Sequence, residues 1–348
     1  MQNRHSKRGL SLLLILVFLL SGCENKSSEQ KYPFNYSGGT MGTSFSIKAS
    51  QLPEGVQTKS LELLIQNRLA EINQRMSTYI QDSELSLING DKGTSAQFIS
   101  PELFKVIEMA MDVSRLSDGA FDITVGSLVN LWGFGPDKAR YQAPNPEDIQ
   151  QALSKAGYEK IFLSDRLLTL GKTVPGISID LSALAKGYAV DEVANILEQQ
   201  GIAHYMVEIG GELHLKGKNL QGKNWRIAVE KPNIEKRELQ RVLALTDIAM
   251  ATSGDYRNFF EQDGKRFSHT IDPRTGYPIT HKLASVTVLS DTTMKADAWA
   301  TALMVLGPAE GYKVAEEQKL AVLFIIKTEQ GFVEQATPLF TEYTKVKQ

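Results

Sequence analysis

The chain has 348 residues, 38 Lys plus Arg against 40 Asp plus Glu, and a formal net charge of −2. That balance offers no basic face for nucleic acid. The single cysteine excludes an internal disulfide and a cysteine metal cluster.

His5, Lys7 and Arg8 precede an apolar run from Leu10 to Leu20. A run of eleven residues is too short for a transmembrane helix, which needs roughly twenty, and it reads as an export signal. It ends in Leu20-Ser21-Gly22-Cys23, which resembles the bacterial lipoprotein signal, with Cys23 as the lipidated first residue of the mature protein. Residues 1–22 are therefore expected as signal peptide. Residues 23–37, polar and containing Ser27, Ser28, Gln30 and Pro33, are expected as a lipidated tether that reaches on the order of 20 Å if flexible. Residues 38–348 are long enough for one large domain or two intimate subdomains.

Along this domain, Thr43 to Ala49 alternates Phe45 and Ile47 with polar residues, as a half-buried strand does. Leu61, Leu64, Ile65, Leu69, Ile72 and Met76 recur at helical spacing. Ser100 as N-cap and Pro101 as first residue open a second helix that runs toward a stop at Gly119. Asn145-Pro146 opens a third, closed by Gly157, and a strand pair is expected between Ile161 and Leu170. Ile177 to Ile179 reads as a strand feeding a helix from about Lys186 to Gln200, with Gly201 as its cap. Strands are then expected at Tyr205–Ile209, Arg226–Glu230, Val242–Leu245, Ile248–Ala251, Phe267–Ile271 and Ser285–Leu289. Gly210-Gly211 and Thr246-Asp247 are expected to join antiparallel neighbours. A helix from Thr293 to Leu306 and a strand from Leu320 to Ile326 complete an α+β pattern.

Polar residues collect at the ends of these elements. Asp118 to Gly126 packs two carboxylates and two glycines after a helix end. Asp180 to Asp191 puts an acid at a strand end and Lys186 at a helix start, where amides and the dipole favour an anion such as phosphate. Ser268 to Gly276 brings together an imidazole, a carboxylate and a guanidinium. Asp297 and Thr301 are four apart, on one face of a helix, and both are hard oxygen donors suited to magnesium. Gly133-Phe134-Gly135 is not a dinucleotide-binding turn, because Lys138 occupies the last glycine position and no strand leads into a helix there. The five histidines show no zinc spacing.

Met41-Gly42-Thr43, Ser77-Thr78-Tyr79, Asp118 to Gly126, Asp180 to Asp191, Thr252 to Tyr256, Ser268 to Gly276 and Ala296 to Leu303 resemble, in order, the motifs of the ApbE family of FAD:protein FMN transferases. The resemblance covers nearly all of the chain after the tether. It implies a T-fold-like α+β architecture, largely antiparallel sheets with packed helices in two intimate subdomains, and FAD held between them. It also implies that Met41, Tyr79, Ala120, Phe121, Asp122, Asp180, Lys186 and Ile271 line the FAD site. Magnesium would be held by the Asp297 carboxylate, the Thr301 hydroxyl and the main-chain oxygen of Ala183, with Ala300 standing where some relatives place a further acid.

The implied reaction is attack of a Thr or Ser hydroxyl of a target protein on the FMN-side phosphorus of FAD, with AMP leaving. His269 is the candidate base, Asp272 orients it or holds the nucleotide, and Arg274 steadies a phosphate or pairs with an acid. Two competing functions use the same residues: a magnesium-dependent FAD pyrophosphatase, and a flavin-binding lipoprotein without chemistry. The acceptors implied are membrane redox subunits such as those of the sodium-translocating NADH:quinone reductase or Rnf complexes. The expected location is periplasmic, lipid-anchored in the inner membrane. The outer membrane stays open because Glu24, not the Asp of the usual retention cue, follows Cys23.

Overall fold

The chain enters its sheet earlier than the polar composition of residues 23–37 leads one to expect. In this computed structural model, which describes residues 31–136, 142–232, 239–255 and 259–345, strand β1 (Phe34–Thr40) already pairs antiparallel with β2 (Thr43–Ala49). Phe34 is buried and Tyr36 packs edge-on against Phe45 at 5.1 Å. Apolar surface that a tether would leave wet is thus removed from water, and the tether boundary moves back before Phe34. The signal segment, Cys23 and Tyr256 lie outside the described residues.

Helix α1 (Thr58–Met76) buries Leu61, Ile65, Leu69, Ile72 and Met76. Leu64, expected on the same stripe, is 47% exposed on its flank. After α2 (Glu84–Gly90) and β3 (Gln97–Phe98), α3 (Pro101–Leu116) starts where the Ser100 hydroxyl accepts the Leu103 N–H. It stops before Asp118 and Gly119, whose φ angles are 50° and 73°. Helices α4 (Gly126–Leu131) and α5 (Pro146–Leu153) follow, the latter ending before Gly157. Strand β4 (Ile161–Ser164) pairs with β5 (Thr169–Lys172), which also takes β3. The strand expected at Ile177–Ile179 is only a single bridge from Val125 to Ser178. The main chain of Ile179 is instead held on both sides by the Asn89 amide, at 2.8 Å each, so no ladder is needed to satisfy it.

Helix α6 (Ala185–Gln199) leads into β6 (Tyr205–Ile209), β7 (Glu212–Lys216), β8 (Trp225–Glu230), β9 (Leu239–Leu245) and β10 (Ile248–Gly254). The short pieces β11 (Phe259–Gln262), β12 (Lys265–Ser268), β13 (Ile271–Asp272) and β14 (Tyr277–Pro278) precede β15 (Leu283–Ser290). Helix α7 (Thr293–Glu317) kinks at Gly307-Pro308, and β16 (Ala321–Thr328), β17 (Gly331–Ala336) and α8 (Pro338–Thr344) finish the fold.

Eight strands form one antiparallel sheet in the order β1-β2-β6-β7-β10-β15-β16-β17. The main core lies between one face of this sheet and helices α1, α6 and α7. The other face is covered by the β8–β9 ribbon and α8, with Trp225, Ile227 and Leu243 in one cluster with Leu215, Met250 and Leu323. That cover overturns one expectation. Thr246-Asp247 does not join sheet neighbours, because β9 pairs back onto β8 and lays its apolar side over the sheet; Asp247, at φ 51°, makes the turn between layers. Residues from Tyr32 onward make one compact unit.

Candidate active site

The turn between β1 and β2 is two residues long, and both have positive φ: Met41 at 49° and Gly42 at 71°. A hairpin turn of this type prefers Asn or Gly at its first position, so methionine there carries strain. The strain coincides with a cavity of about 890 Å³, and Met41 lies in its wall. A volume of that order suits a small-molecule or dinucleotide ligand. Tyr79, Ala120, Phe121, Asp122, Asp180, Ala183, Lys186, His269, Ile271, Asp297 and Thr301 line the same cavity. One space therefore collects residues from six separate sequence segments.

The charged end of the cavity is built where α6 and α7 start. The Asp191 carboxylate, on α6, accepts the main-chain N–H groups of Thr293 (2.8 Å) and Met294 (2.9 Å), capping α7 from outside its own segment. In return, Asp297 on α7 accepts the Gly187 N–H of α6 at 3.1 Å. Gly187 permits this approach: a Cβ there would lie 2.5 Å from the Thr293 carbonyl oxygen. The Lys186 ammonium sits between two carboxylates, 3.4 Å from Asp297 and 3.3 Å from Glu212. Both acids are buried, and burial pushes both carboxyls upward while the Lys186 ammonium between them pulls them back toward the ionised form. The anion cradle expected at Lys186 is thus a lysine already shared by two acids.

Asp297 and Thr301 share the predicted face of α7, and the Thr301 hydroxyl lies 3.3 Å from that of Ser253 on β10. Ala183 lines the same space, and its main-chain oxygen with these two side chains would make an all-oxygen donor set, which suits magnesium and not zinc. Among the described residues no group of three or more His, Cys, Asp or Glu is arranged to hold a metal, so a cation here would rely on one carboxylate with a hydroxyl and a carbonyl. Ala300 lies in the helical core, off the cavity wall. One oxygen of Glu212, Oε2, is buried without a hydrogen-bond partner.

Elsewhere in the cavity lining, Asp122 is buried, and burial raises its carboxyl above the ordinary range while the N–H and hydroxyl of Thr124, both at 2.7 Å, draw it back. Phe121 is fixed by its N–H donating to the Ser117 hydroxyl. Asp180 accepts the Ser182 N–H at 2.8 Å, bending the chain toward α6.

The continuous strand expected from Phe267 to Ile271 is broken. Strand β12 ends at Ser268, and Ile271 pairs with Pro278 in a separate two-stranded sheet. His269 leaves the ladder at this break, reaches the cavity wall and meets the Phe134 ring edge-on at 6.3 Å. Phe134 belongs to the Gly133-Phe134-Gly135 turn, which follows α4, and it too lines the cavity. Asp272 does not reach the cavity wall. Its carboxylate is turned into its own loop, where it accepts the Arg274 N–H (2.9 Å) and a two-pronged contact from the guanidinium, 3.0 Å on each oxygen. Arg274 is thereby committed to acids, Asp272 and Glu310, rather than to a phosphate. Asp272, expected to orient His269 or hold the nucleotide, has its carboxylate engaged within its own loop.

Sequence reasoning missed Glu212. Its signal was present, an acid opening a strand straight after Gly210-Gly211, but that pair reads equally well as an ordinary hairpin turn.

Residues 41–324 match the model of the ApbE family. The chain belongs to that family. The FAD:protein FMN transferase of Vibrio cholerae serotype O1 is 45% identical over 336 residues, covering 97% of this chain and 99% of the relative. That of Haemophilus influenzae is 42% identical, covering 97% and 98%. Among ApbE-family structures, the flavin transferase ApbE from Vibrio cholerae superposes with a TM-score of 0.83 over 89% of this chain and 98% of that one. The ApbE protein of Thermotoga maritima, at 28% identity, still gives 0.80 over 90% and 100%.

Proposed function

We propose that this chain is a FAD:protein FMN transferase that moves FMN from FAD onto a Thr or Ser hydroxyl of a target protein and releases AMP. The observation that supports it most is the convergence of His269, Lys186, Asp297 and Thr301 on one cavity, in a chain whose relatives carry that activity in their names. Met41, Tyr79, Ala120, Phe121, Asp122, Asp180, Lys186 and Ile271 supply the wall against which FAD binds. Asp297, Thr301 and the Ala183 carbonyl would hold magnesium, which when bound supplies charge neutralisation at the pyrophosphate.

The chain's own work is positioning and proton transfer. Lys186 places a positive charge beside the pyrophosphate, and the acceptor hydroxyl gives its proton to His269 as its oxygen bonds to the FMN phosphorus. The phosphorus–oxygen bond to AMP breaks and AMP departs with the electron pair. Incubating the protein with FAD, magnesium and a Thr-containing acceptor peptide tests the reading. Covalent FMN on the peptide is expected; free FMN plus AMP alone would mean a pyrophosphatase, and unchanged FAD a binding protein.

The signal Leu20 to Cys23 supports lipid anchoring on the periplasmic side, and family resemblance supports acceptors such as subunits of the sodium-translocating NADH:quinone reductase or Rnf complexes. No helix among the described residues is long and apolar enough to cross a membrane. Cys23→Ser is expected to abolish labelling by radioactive palmitate; persistent label would overturn the anchor.

A further inference from the structure

A lysine ammonium 3.4 Å from the carboxylate that is to hold a divalent cation is a competitor for that carboxylate. Two like charges cannot share one buried acid without cost. The structure contains the remedy. Glu212 opens β7 directly after Gly210 and Gly211, with φ angles of 65° and 108°, and it lines the same cavity as Asp297. Glu212 Oε1 lies 3.3 Å from the same ammonium, so Lys186 has a second, equally near partner. Gly210 lies beside the pair: a Cβ there would stand 3.2 Å from Glu212 Oε2 and 3.3 Å from Lys186 Cδ, so any side chain at this position would crowd both. Glu212 Oε2 is buried beside this turn without a hydrogen-bond partner.

We infer that Glu212 is a positioning residue that draws Lys186 away from Asp297 and so keeps the Asp297 carboxylate available to a divalent cation. This inference rests on the magnesium-dependent transfer reading. Without Glu212, Asp297 is the one carboxylate left beside the ammonium among the described residues, and the cation must displace it. With Glu212 in place, Lys186 remains in the cavity, charged and directed toward the substrate's phosphates, while Asp297 serves the metal. The residue acts through Lys186 and touches no reacting atom.

The test titrates Mn²⁺ into the full-length protein with FAD present and reads free Mn²⁺ by electron paramagnetic resonance. Glu212→Gln keeps the shape and removes the charge, and is expected to weaken Mn²⁺ binding about tenfold or more, as outer partners of metal ligands do. Glu212→Asp, which restores the charge, is expected to recover binding to within about threefold of the parent, and FAD binding measured without metal by flavin fluorescence should change by less than about threefold in either variant. In a Lys186→Met background the competitor is gone, so Glu212→Gln should no longer weaken Mn²⁺ binding.

Melting curves establish that each variant is folded. A folded Glu212→Gln protein that binds Mn²⁺ like the parent overturns the inference. So does an equal loss of Mn²⁺ binding with and without Lys186, which would make Glu212 a direct metal partner. A parent that binds no Mn²⁺ overturns the underlying metal reading, and this inference with it.

Discussion

Gly187 donates its main-chain N–H to Asp297 at 3.1 Å, and it can do so only because it lacks a side chain, since a Cβ would stand 2.5 Å from the Thr293 carbonyl oxygen. The obstacle is backbone on the first turn of α7, which cannot rotate aside. The two helices that carry Lys186 and Asp297 therefore approach as closely as backbone allows. Gly187→Ala is expected to separate them, costing about 1–3 kcal/mol of stability as overpacking does. It should also weaken metal-dependent FAD binding. Chemical denaturation beside a magnesium titration checks both, and a variant with parental stability and metal dependence would show that the contact is slack.

Asp297→Ala removes the one carboxylate among the expected metal donors. Transfer to an acceptor peptide at saturating magnesium is expected to fall about 10²-fold or more, on the order of 3 kcal/mol of transition-state stabilisation. FAD binding without metal should change much less, because Lys186 keeps Glu212 as its partner. Near-parental turnover would reduce Asp297 to a helix-start acid.

His269→Ala separates a base from a packing residue. A base must be neutral to accept the hydroxyl proton, so the parental rate should rise with pH along an acid limb set by the imidazole. The variant should lose about 10²-fold or more in rate and lose that limb, with FAD affinity largely retained. Rates of FMN transfer from about pH 5.5 to 8.5 decide the matter. If the variant keeps both the limb and the rate, His269 leaves the mechanism and Asp180 becomes the next candidate on the cavity wall.

Met41 holds a φ of 49° in a turn that suits asparagine. Met41→Asn is expected to raise stability by about 0.5–1 kcal/mol, because a left-handed conformation costs asparagine less. The same change should weaken FAD binding, since an apolar side chain leaves the cavity wall. Denaturant melts and flavin fluorescence titrations together test this trade. A variant that gains stability and binds FAD as well as the parent would leave the strained methionine without a function.

Much of this protein was legible before any fold was drawn, because its signals are local. The Ser100-Pro101 helix start, the alternation in β2, the stops at Gly119 and Gly201, and the pairing of Asp297 with Thr301 one turn apart all depend on hydrogen bonds or side-chain spacing within a few residues. The family motifs likewise contain most of the residues that line the cavity, though not Asn73, Phe134 or Glu212. What the tertiary structure alone decided depends on partners far away in the chain. Alternation in β8 and β9 marks an apolar face but not what covers it, and the ribbon folded over the sheet instead of extending it. Asp272 and Arg274 look like site residues in a linear reading, yet their charges satisfy each other once the loop closes. Glu212 reads as a strand's first residue until the Gly210-Gly211 turn aims it at Lys186. Local sequence sets which way a backbone can bend, whereas burial sets which charges must find one another, and only the packed chain brings them within reach.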